Sequence, residues 1–301
     1  MLSRIAESFF WMGRYLERAE ATTRLLAEHY QLLVEDQSVG QDLACGVLLD
    51  ALGIAHPAGL SRESLVQAVL DDQTRPSTVA GAVSAARDNA RSIRESLSSD
   101  TYEALNATHL QLAGGVGSGS SPGVALYRVL ERLLVVNGVV EWTMPRDEAH
   151  HFLVLGRELE RIDMMGRLLS IRHDLLWPTA GSLAILRATG SLSAFLRSGA
   201  TVNGPDVRSF LVLDAMFPRS MRTCAADAEA AVRALSALGV RHGGSLLSEV
   251  GMLRSALEFA DPFDPRLVDT LVVTAQESAT RASVAVNDAF FRQRGTVVWS
   301  H

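Results

Sequence analysis

The chain opens with a long apolar stripe of helical period. From Ile5 onward the apolar residues recur at alternating steps of three and four positions, and Thr23 is the only polar residue in the series. Such spacing places the side chains on one face of an α-helix. The pattern predicts a helix from about Leu2 to Glu35 that ends ahead of Gly40.

Helical patterns of the same kind continue along the chain, and the only β-like runs, such as 296–299, are too short to build a sheet. The further predicted helices cover, approximately, Asp42–Leu52, Ser61–Leu70, Pro76–Leu97, Thr101–Leu112, Val124–Trp142, Pro145–Trp177, Leu183–Leu196, Val207–Leu213, Arg219–Leu238, Ser245–Phe259 and Arg266–Arg292. The sequence therefore predicts an all-α fold, a single bundle of about ten helices that spans 1–301 as one domain. The glycine- and serine-rich segment 114–123 predicts a mobile loop, either a plain linker or a lid.

One helix occurs twice, because the fourteen residues from Gly13 match those from Gly156 at eight positions. The internal repeat covers 9–35 and 152–177. Two seam positions differ between the copies, Ala19 against Ile162 and Thr23 against Gly166, and Glu20 is matched by Asp163. Four charged pairs are identical: Arg14/Arg157, Glu17/Glu160, Arg18/Arg161 and Arg24/Arg167. A duplicated helix that needed only an apolar stripe would keep its seam residues and let its charged residues change. We therefore expect the charges to do more than keep the protein soluble.

Three interpretations of these charges stay open. Residues three and four positions apart are neighbours on a helix, so Arg14, Glu17 and Arg18 form one cluster, and Glu20 with Arg24 forms another. The simplest interpretation is a solvated face. The second is a network buried between two antiparallel copies that fixes their register. The third is a ligand site in which guanidinium groups bind a carboxylate or phosphate and a glutamate orients them; the last two are compatible.

A further cationic face follows in the helix predicted over 76–97. Arg87, Arg91 and Arg94 lie at spacings of four and three, with Asn89 beside them. Like charges at this spacing repel each other and favour a counter-charge, which the glutamates of the repeat or a bound anion would supply. A solvated face is the simplest account.

Composition narrows the function classes. A formal net charge of −6 argues against nucleic acid as the main partner. All 28 basic residues are arginine, which excludes a Schiff-base or phosphate-loop lysine. Cys45 and Cys224 lie in separate apolar stretches and are expected in the core.

No run reaches the roughly 18 apolar residues of a membrane span, and the N-terminus begins as an amphipathic helix rather than a signal peptide, so we expect a cytoplasmic protein.

Metal and hydrolase chemistry find little support in the sequence. Glu148 and His151 have the spacing of half a di-iron motif, but a second such pair is missing. No serine stands in a Gly-x-Ser-x-Gly segment. We therefore predict no metal site and assign no hydrolytic triad.

Four blocks of the sequence form a specific pattern: Ser3–Ser8 with Trp11–Glu20, Ala86–Arg91 with Arg94–Ser98 and Asn106, the second Glu-Arg copy, and Phe210–Asp214 with Phe217–Ser220. Together they resemble the alpha-E family, an all-helical bacterial domain named for its Glu-Arg pair. The chain departs from that family at Asp88, where an Arg-Glu-Asn block usually has glutamate. The role of Asp88 is therefore left open.

The resemblance implies a setting for the function. Alpha-E proteins are typically encoded beside, or fused to, a circularly permuted ATP-grasp protein, often with a transglutaminase-like protease nearby. ATP-grasp enzymes activate a carboxylate as an acyl phosphate that an amine then attacks, so the family implies amide or peptide bond formation. This chain has no ATP-binding signature of its own, and ATP would enter only through the partner.

The leading hypothesis is a component of such a system that binds a carboxylate or an acyl-phosphate intermediate in a polar pocket between the two Glu-Arg helices. The candidate catalytic residues are Glu17 and Glu160. The candidate binding residues are Arg14, Arg18, Glu20, Arg24, Arg87, Asn89, Arg91, Arg94, Arg157, Arg161, Asp163, Arg167 and Arg219. The alternatives are a stand-alone enzyme in which Glu17 or Glu160 is the general base, and a purely structural helical partner. An open cleft at the motif would favour chemistry, and a closed core would favour architecture.

Overall fold

A computed structural model describes residues 3–114, 121–240 and 244–291 of the chain. Every regular element within these ranges is helical, which confirms the all-α prediction. Residues 115–120, the centre of the predicted loop, lie outside the described residues.

The helices divide into two successive sets. The first set comprises α1 (Ser3–Glu35), α2 (Gln41–Leu52), α3 (Arg62–Leu70), α4 (Val79–Ser92), α5 (Ser99–Ala113) and α6 (Pro122–Thr143). The second set comprises α7 (Glu148–Ser170), α8 (His173–Leu176), α9 (Gly181–Ala188), α10 (Leu192–Ser198), α11 (Gly204–Leu213), α12 (Met221–Ala237), α13 (Gly244–Glu258) and α14 (Pro265–Val286). A 3₁₀ turn at Arg94–Ser96 and a π turn at Asn287–Phe291 complete the described elements.

The described ranges contain fourteen α-helices rather than about ten, in part because local conformation divides two of the long predicted segments. The segment predicted to reach Trp177 ends at Ser170, and Arg172 then adopts a left-handed conformation with φ 57°. The segment 183–196 is divided at Gly190, where φ is 67°. A left-handed residue cannot continue a right-handed helix, so a new helix starts after each.

The segment predicted as one helix over 76–97 is shorter at both ends. The side chain of Thr78 accepts a hydrogen bond from the backbone N–H of Gly81, so the helix begins at Val79 rather than at Pro76. It ends at Ser92, and the chain continues into the 3₁₀ turn that contains Arg94. This shortening removes Arg94 from the face shared with Arg87.

The second half of the chain repeats the first well beyond the fourteen matched residues. Helices α6 and α14 both have 22 residues and both carry proline in their first turn, at positions 143 apart. Within the first half α1 packs on α4 and α6, and α5 packs on both of these; within the second half α7 packs on α12 and α14, and α13 packs on both of these. The fold is therefore two four-helix units of equivalent connectivity that meet along α1 and α7.

Helices α1 and α7 are parallel. Gly156 on α7 lies against the backbone of Phe10 on α1, and further along Arg161 on α7 contacts Glu17 on α1, so the contacts advance in the same direction on both helices. The antiparallel arrangement considered from the sequence is wrong, because α2 to α6 return the chain to the end from which α1 started. The parallel pair places the two motif copies side by side in nearly the same register.

A contiguous apolar core runs through both units and includes the α1–α7 contact. Cys45 and Cys224 are buried and free, as the apolar surroundings predicted. The core surrounds the charged motif, so the motif occupies a polar layer within an otherwise apolar interface.

Candidate functional site

The two copies of the motif exchange ion pairs. Nε of Arg18 on α1 donates to Glu160 on α7 at 2.5 Å, and Nη2 of Arg161 on α7 donates to Glu17 on α1 at 2.7 Å. Arg18 and Arg161 are equivalent in the repeat, as are Glu17 and Glu160. Each guanidinium therefore neutralises the carboxylate of the other copy, which explains why these charges are identical in the two copies.

The carboxylates of the motif are buried and use both oxygens. Nε of Arg14 donates to the second oxygen of Glu160 at 2.6 Å. Arg219 contacts the second oxygen of Glu17. Glu17 and Glu160 are at most 1% exposed, so the solvated-face interpretation is wrong for both. The sequence-based hypothesis of a buried Arg–Glu network describes the observed arrangement.

Glu20 and Asp163 form a second pair of equivalent positions. Nε of Arg24 donates to Glu20 at 2.9 Å, and Nε of Arg167 donates to Asp163 at 2.8 Å, both at the acidic-first helical spacing. Arg219 also donates to Glu20, at 2.8 Å. Arg219 comes from the segment before α12 and joins two glutamates of α1 that are three positions apart.

Sequence reasoning missed Glu158, Asn137 and Ser283, the last of which accepts a hydrogen bond from Arg14. Glu158 is fully buried and accepts hydrogen bonds from Arg157 at 2.9 Å and from Arg161 at 2.9 Å. Asn137 on α6 donates to Glu20 at 2.6 Å. The repeat comparison passed over Glu158 because its counterpart is a tyrosine, although its spacing of three from Arg161 was a usable signal; nothing in the sequence pointed to Asn137.

The electrostatics keep Glu17 ionised. Burial by itself raises the pKa of Glu17, but the charges of Arg161 and Arg219 outweigh burial and lower the pKa from 4.5 to about 2. Burial by itself lowers the pKa of Arg161. The negative charges of Glu17 and Glu158 outweigh burial, so the pKa of Arg161 is raised. A carboxylate with so low a pKa is a weak proton acceptor at neutral pH.

The cationic face of α4 is separate from this network. Arg87 is 3.4 Å from the side-chain oxygen of Asn106 and 3.3 Å from Asp88, Arg94 stacks 4.0 Å from the ring centre of Tyr102, and Arg91 is exposed. Asn89 donates to a backbone carbonyl of its own helix. None of these four predicted site residues makes a hydrogen bond or ion pair with the duplicated charges in the described ranges, although Asn89 lines a separate cavity with Trp11 and Tyr15 of α1.

Two cavities flank the α1–α7 pair at equivalent places. The first, here called the Arg219 cavity, has a volume of about 30 Å³ and is lined by Glu17, Ala21, Arg161, Met165 and Arg219 among others. The second, here called the Ser77 cavity, has a volume of about 210 Å³ and is lined by Arg18, Thr22, Gly53, Ser77, Met164 and Arg167 among others. Both Glu17 and Glu160 are almost fully buried, although Glu17 lines the small Arg219 cavity, while Arg18 and Arg167 border the larger space of the Ser77 cavity.

The described ranges contain no cluster of three or more histidine, cysteine, aspartate or glutamate side chains suited to a metal ion. Among the helices of those ranges, none combines the length and apolarity needed to cross a membrane.

Comparison with known proteins places this chain in a family. The Alpha-E family, described as a predicted alpha-helical domain with a conserved ER motif, matches residues 1–291. The chain belongs to the Alpha-E family.

Relatives with curated sequences carry no assigned activity. Uncharacterized proteins of Mycobacterium bovis and of two strains of Mycobacterium tuberculosis are each 26% identical to this chain over 252 residues, which cover 72% of it. The matched region makes up 28% of the length of each relative. No solved structure matches the chain.

Proposed function

We propose that this chain is the ligand-binding component of an ATP-grasp-associated system that forms amide or peptide bonds. In this proposal a circularly permuted ATP-grasp protein supplies ATP and the acyl phosphate, and a transglutaminase-like protein is a further partner in some systems. The chain binds the carboxylate or acyl-phosphate intermediate through its arginines and works in the cytoplasm, where ATP is available.

The observation that carries the proposal is that the two guanidiniums of the Ser77 cavity bind carboxylates of the protein through Nε and leave Nη donors unused. Arg18 and Arg167 direct Nε inward to Glu160 and Asp163, which fixes both side chains. Arg18 makes no hydrogen bond through its Nη atoms to any residue of the described ranges, and neither does Nη2 of Arg167. Fixed guanidiniums with unused donors are suited to bind planar carboxylates and phosphoryl groups.

The internal carboxylates serve this arrangement as positioning residues. Burial leaves Glu160 largely screened from water, and its two oxygens hold Arg14 and Arg18 at 2.6 Å and 2.5 Å. Binding costs less entropy when the binding groups are already ordered. The duplicated charges therefore build a preorganised cationic rim around the α1–α7 pair.

The same geometry disfavours a stand-alone enzyme that uses Glu17 or Glu160 as general base. Both oxygens of each carboxylate are occupied by guanidinium groups, and the pKa of Glu17 is about 2. A general base needs a pKa near the working pH and access to the substrate proton. Both glutamates are better suited to hold arginines than to accept protons.

The proposal is tested by purifying the chain with a circularly permuted ATP-grasp protein from the same organism. We expect the two to co-elute and the chain to change the rate of ATP hydrolysis by the partner. Arg18→Met should abolish the change in ATP turnover in a protein that remains folded by circular dichroism. Arg197→Met, at an exposed arginine remote from the motif, is the matched control and should behave as wild type.

Absence of both co-elution and any change in ATP turnover would overturn the proposal. ATP-independent turnover by the isolated chain, lost in Glu17→Gln, would establish the stand-alone enzyme instead. A purely structural role would be established if Arg18→Met left both the complex and its ATP turnover unchanged.

A further inference from the structure

Ser77 and Arg219 occupy equivalent positions in the two halves of the fold. Each immediately precedes the N-cap residue of its helix, Thr78 for α4 and Ser220 for α12. The hydroxyl of each cap also donates to the backbone carbonyl six residues earlier. Because the local hydrogen bonding is the same, the side chains at 77 and 219 point into equivalent places beside the α1–α7 pair, and each lines its own cavity.

The difference between serine and arginine decides how much space is left. In the second half the guanidinium of Arg219 reaches Glu17 and Glu20, and the cavity beside it is about 30 Å³. In the first half the short side chain of Ser77 leaves about 210 Å³, which is room for several water molecules or a small anion. Arg219 thus fills most of the space in the second half of the fold, here called the closed half. Ser77 leaves the larger cavity in the first half, here called the open half.

The linings of the two cavities differ in charge. The residues that line the Ser77 cavity include two guanidiniums, Arg18 and Arg167, and no carboxylate among the described residues. Glu160 and Asp163 bind these guanidiniums through Nε, which leaves the Nη groups of Arg18 and Nη2 of Arg167 without a protein partner in the described ranges. The lining of the Arg219 cavity, in contrast, includes the carboxylate of Glu17 together with Arg161 and Arg219. A cavity bordered by guanidiniums alone attracts a counter-ion.

A neutral donor completes the lining. Thr22 is 1% exposed, and its hydroxyl makes no hydrogen bond to the described part of the chain. Buried hydroxyl groups are normally hydrogen-bonded, so this unpartnered hydroxyl, in a residue that lines the cavity, is a donor still available to a bound group. The equivalent residue in the closed half is Met165, which has no such requirement.

We infer that the Ser77 cavity binds one oxyanion per chain, a carboxylate or a phosphoryl group, between the Nη groups of Arg18 and Arg167 and the hydroxyl of Thr22. This inference rests on the proposed function, since it locates the ligand of that function and sets its number. In the closed half, the side chain of Arg219 fills the space that the ligand fills in the open half, so no ligand is expected there.

The test is isothermal titration calorimetry of the full chain, without partner or ATP, against inorganic phosphate and against acetate. We expect binding of at least one of the two with a stoichiometry of one. Phosphate binding alone identifies a phosphoryl ligand, and acetate binding alone identifies a carboxylate ligand. Failure of both to bind overturns the inference.

Ser77→Arg reproduces the closed half in the open half and should weaken binding at least tenfold without lowering the melting temperature by more than a few degrees. Thr22→Val removes only the hydroxyl and should weaken binding severalfold, which keeps the test decisive if Ser77→Arg fails to fold. Ser248→Arg, an exposed serine on α13, is the matched charge control and should bind as wild type. Undiminished binding by both cavity variants would overturn the assignment of the site.

These measurements are independent of the test of the proposed function. If the isolated chain binds an anion in this cavity but never associates with an ATP-grasp protein, the site stands and the proposed system is wrong. If the complex forms and alters ATP turnover while neither probe binds, the system stands and the assignment of the Ser77 cavity is wrong.

Discussion

Gly13 and Gly156 lie at equivalent positions on the two parallel motif helices and let those helices approach each other closely. A Cβ atom on Gly156 would lie 2.0 Å from the carbonyl oxygen of Phe10, and one on Gly13 would lie 2.2 Å from that of Leu153. Both obstacles are backbone, which cannot move aside without separating the helices. The glycines therefore bring the guanidiniums of each helix within reach of the carboxylates of the other.

Gly156→Ala should destabilise the fold by about 1 to 3 kcal/mol, the usual cost of overpacking. The measurement is the urea midpoint of unfolding. Gly138→Ala is the matched control, because a Cβ at this position on α6 meets nothing within 4 Å. We expect the control to be unchanged or stabilised by up to about 1 kcal/mol through helix propensity. Equal stability of the two variants would contradict the close contact.

Glu160→Gln should lower the free energy of unfolding by about 3 kcal/mol or more. The change keeps the shape of the side chain but leaves the guanidiniums of Arg14 and Arg18 without their counter-charge in a buried setting. Glu277→Gln, in an exposed pair with Arg281, should change stability by less than about 0.5 kcal/mol. Urea denaturation of both variants measures the difference, and a similar small effect in both would mean that water screens the network.

Glu17 should contribute stability that depends on pH. Its pKa in the folded chain, about 2, is lower than the ordinary value of 4.5, so the contribution is fully present above about pH 4.5 and is lost as the pH falls towards 2. Urea unfolding of wild type and Glu17→Gln at pH 7, 4.5 and 3 checks this. The stability difference between them should shrink below pH 4.5, and a difference that stays constant down to pH 3 would contradict the low pKa.

The buried histidine pair at the far end of α1 and α7 should make the fold sensitive to milder acid. Burial lowers the pKa of His29 to about 4 and that of His173 to about 3, both below the ordinary value of 6.5. The unfolded chain therefore takes up protons first as the pH falls. Stability from this pair is fully present above about pH 6.5 and declines towards the folded pKa values.

His173→Phe tests this dependence. The variant loses the hydrogen bond to His29 and should cost about 1 to 3 kcal/mol at pH 7. Its stability should fall less steeply than that of wild type between pH 6.5 and 4.5, as measured by urea midpoints. His56→Gln removes an exposed histidine and should retain the slope of wild type. A wild-type slope in His173→Phe would show that the pair does not respond to pH in this range.

Much of the fold was predictable from local sequence patterns. Helical period and capping residues act over three or four positions, so the helices and the all-α class followed from them. The left-handed conformation at Arg172 did not, because arginine carries no signal for it and the neighbouring helices impose it.

The candidate site was likewise predictable from the sequence only in part. Comparison of the two repeat copies by sequence alone identified Arg14, Glu17, Arg18 and their counterparts as a constrained set. The parallel packing that turns these residues into exchanged pairs required the tertiary structure, as did the contact of Arg219 with Glu20, 199 positions away. Ion pairs between distant elements depend on how helices pack, and an amphipathic pattern specifies which face is buried but not which helix covers it. The sequence by itself indicated which charges are kept in both copies, and only the fold decided which are neutralised within the core and which, at Arg18 and Arg167, border the Ser77 cavity.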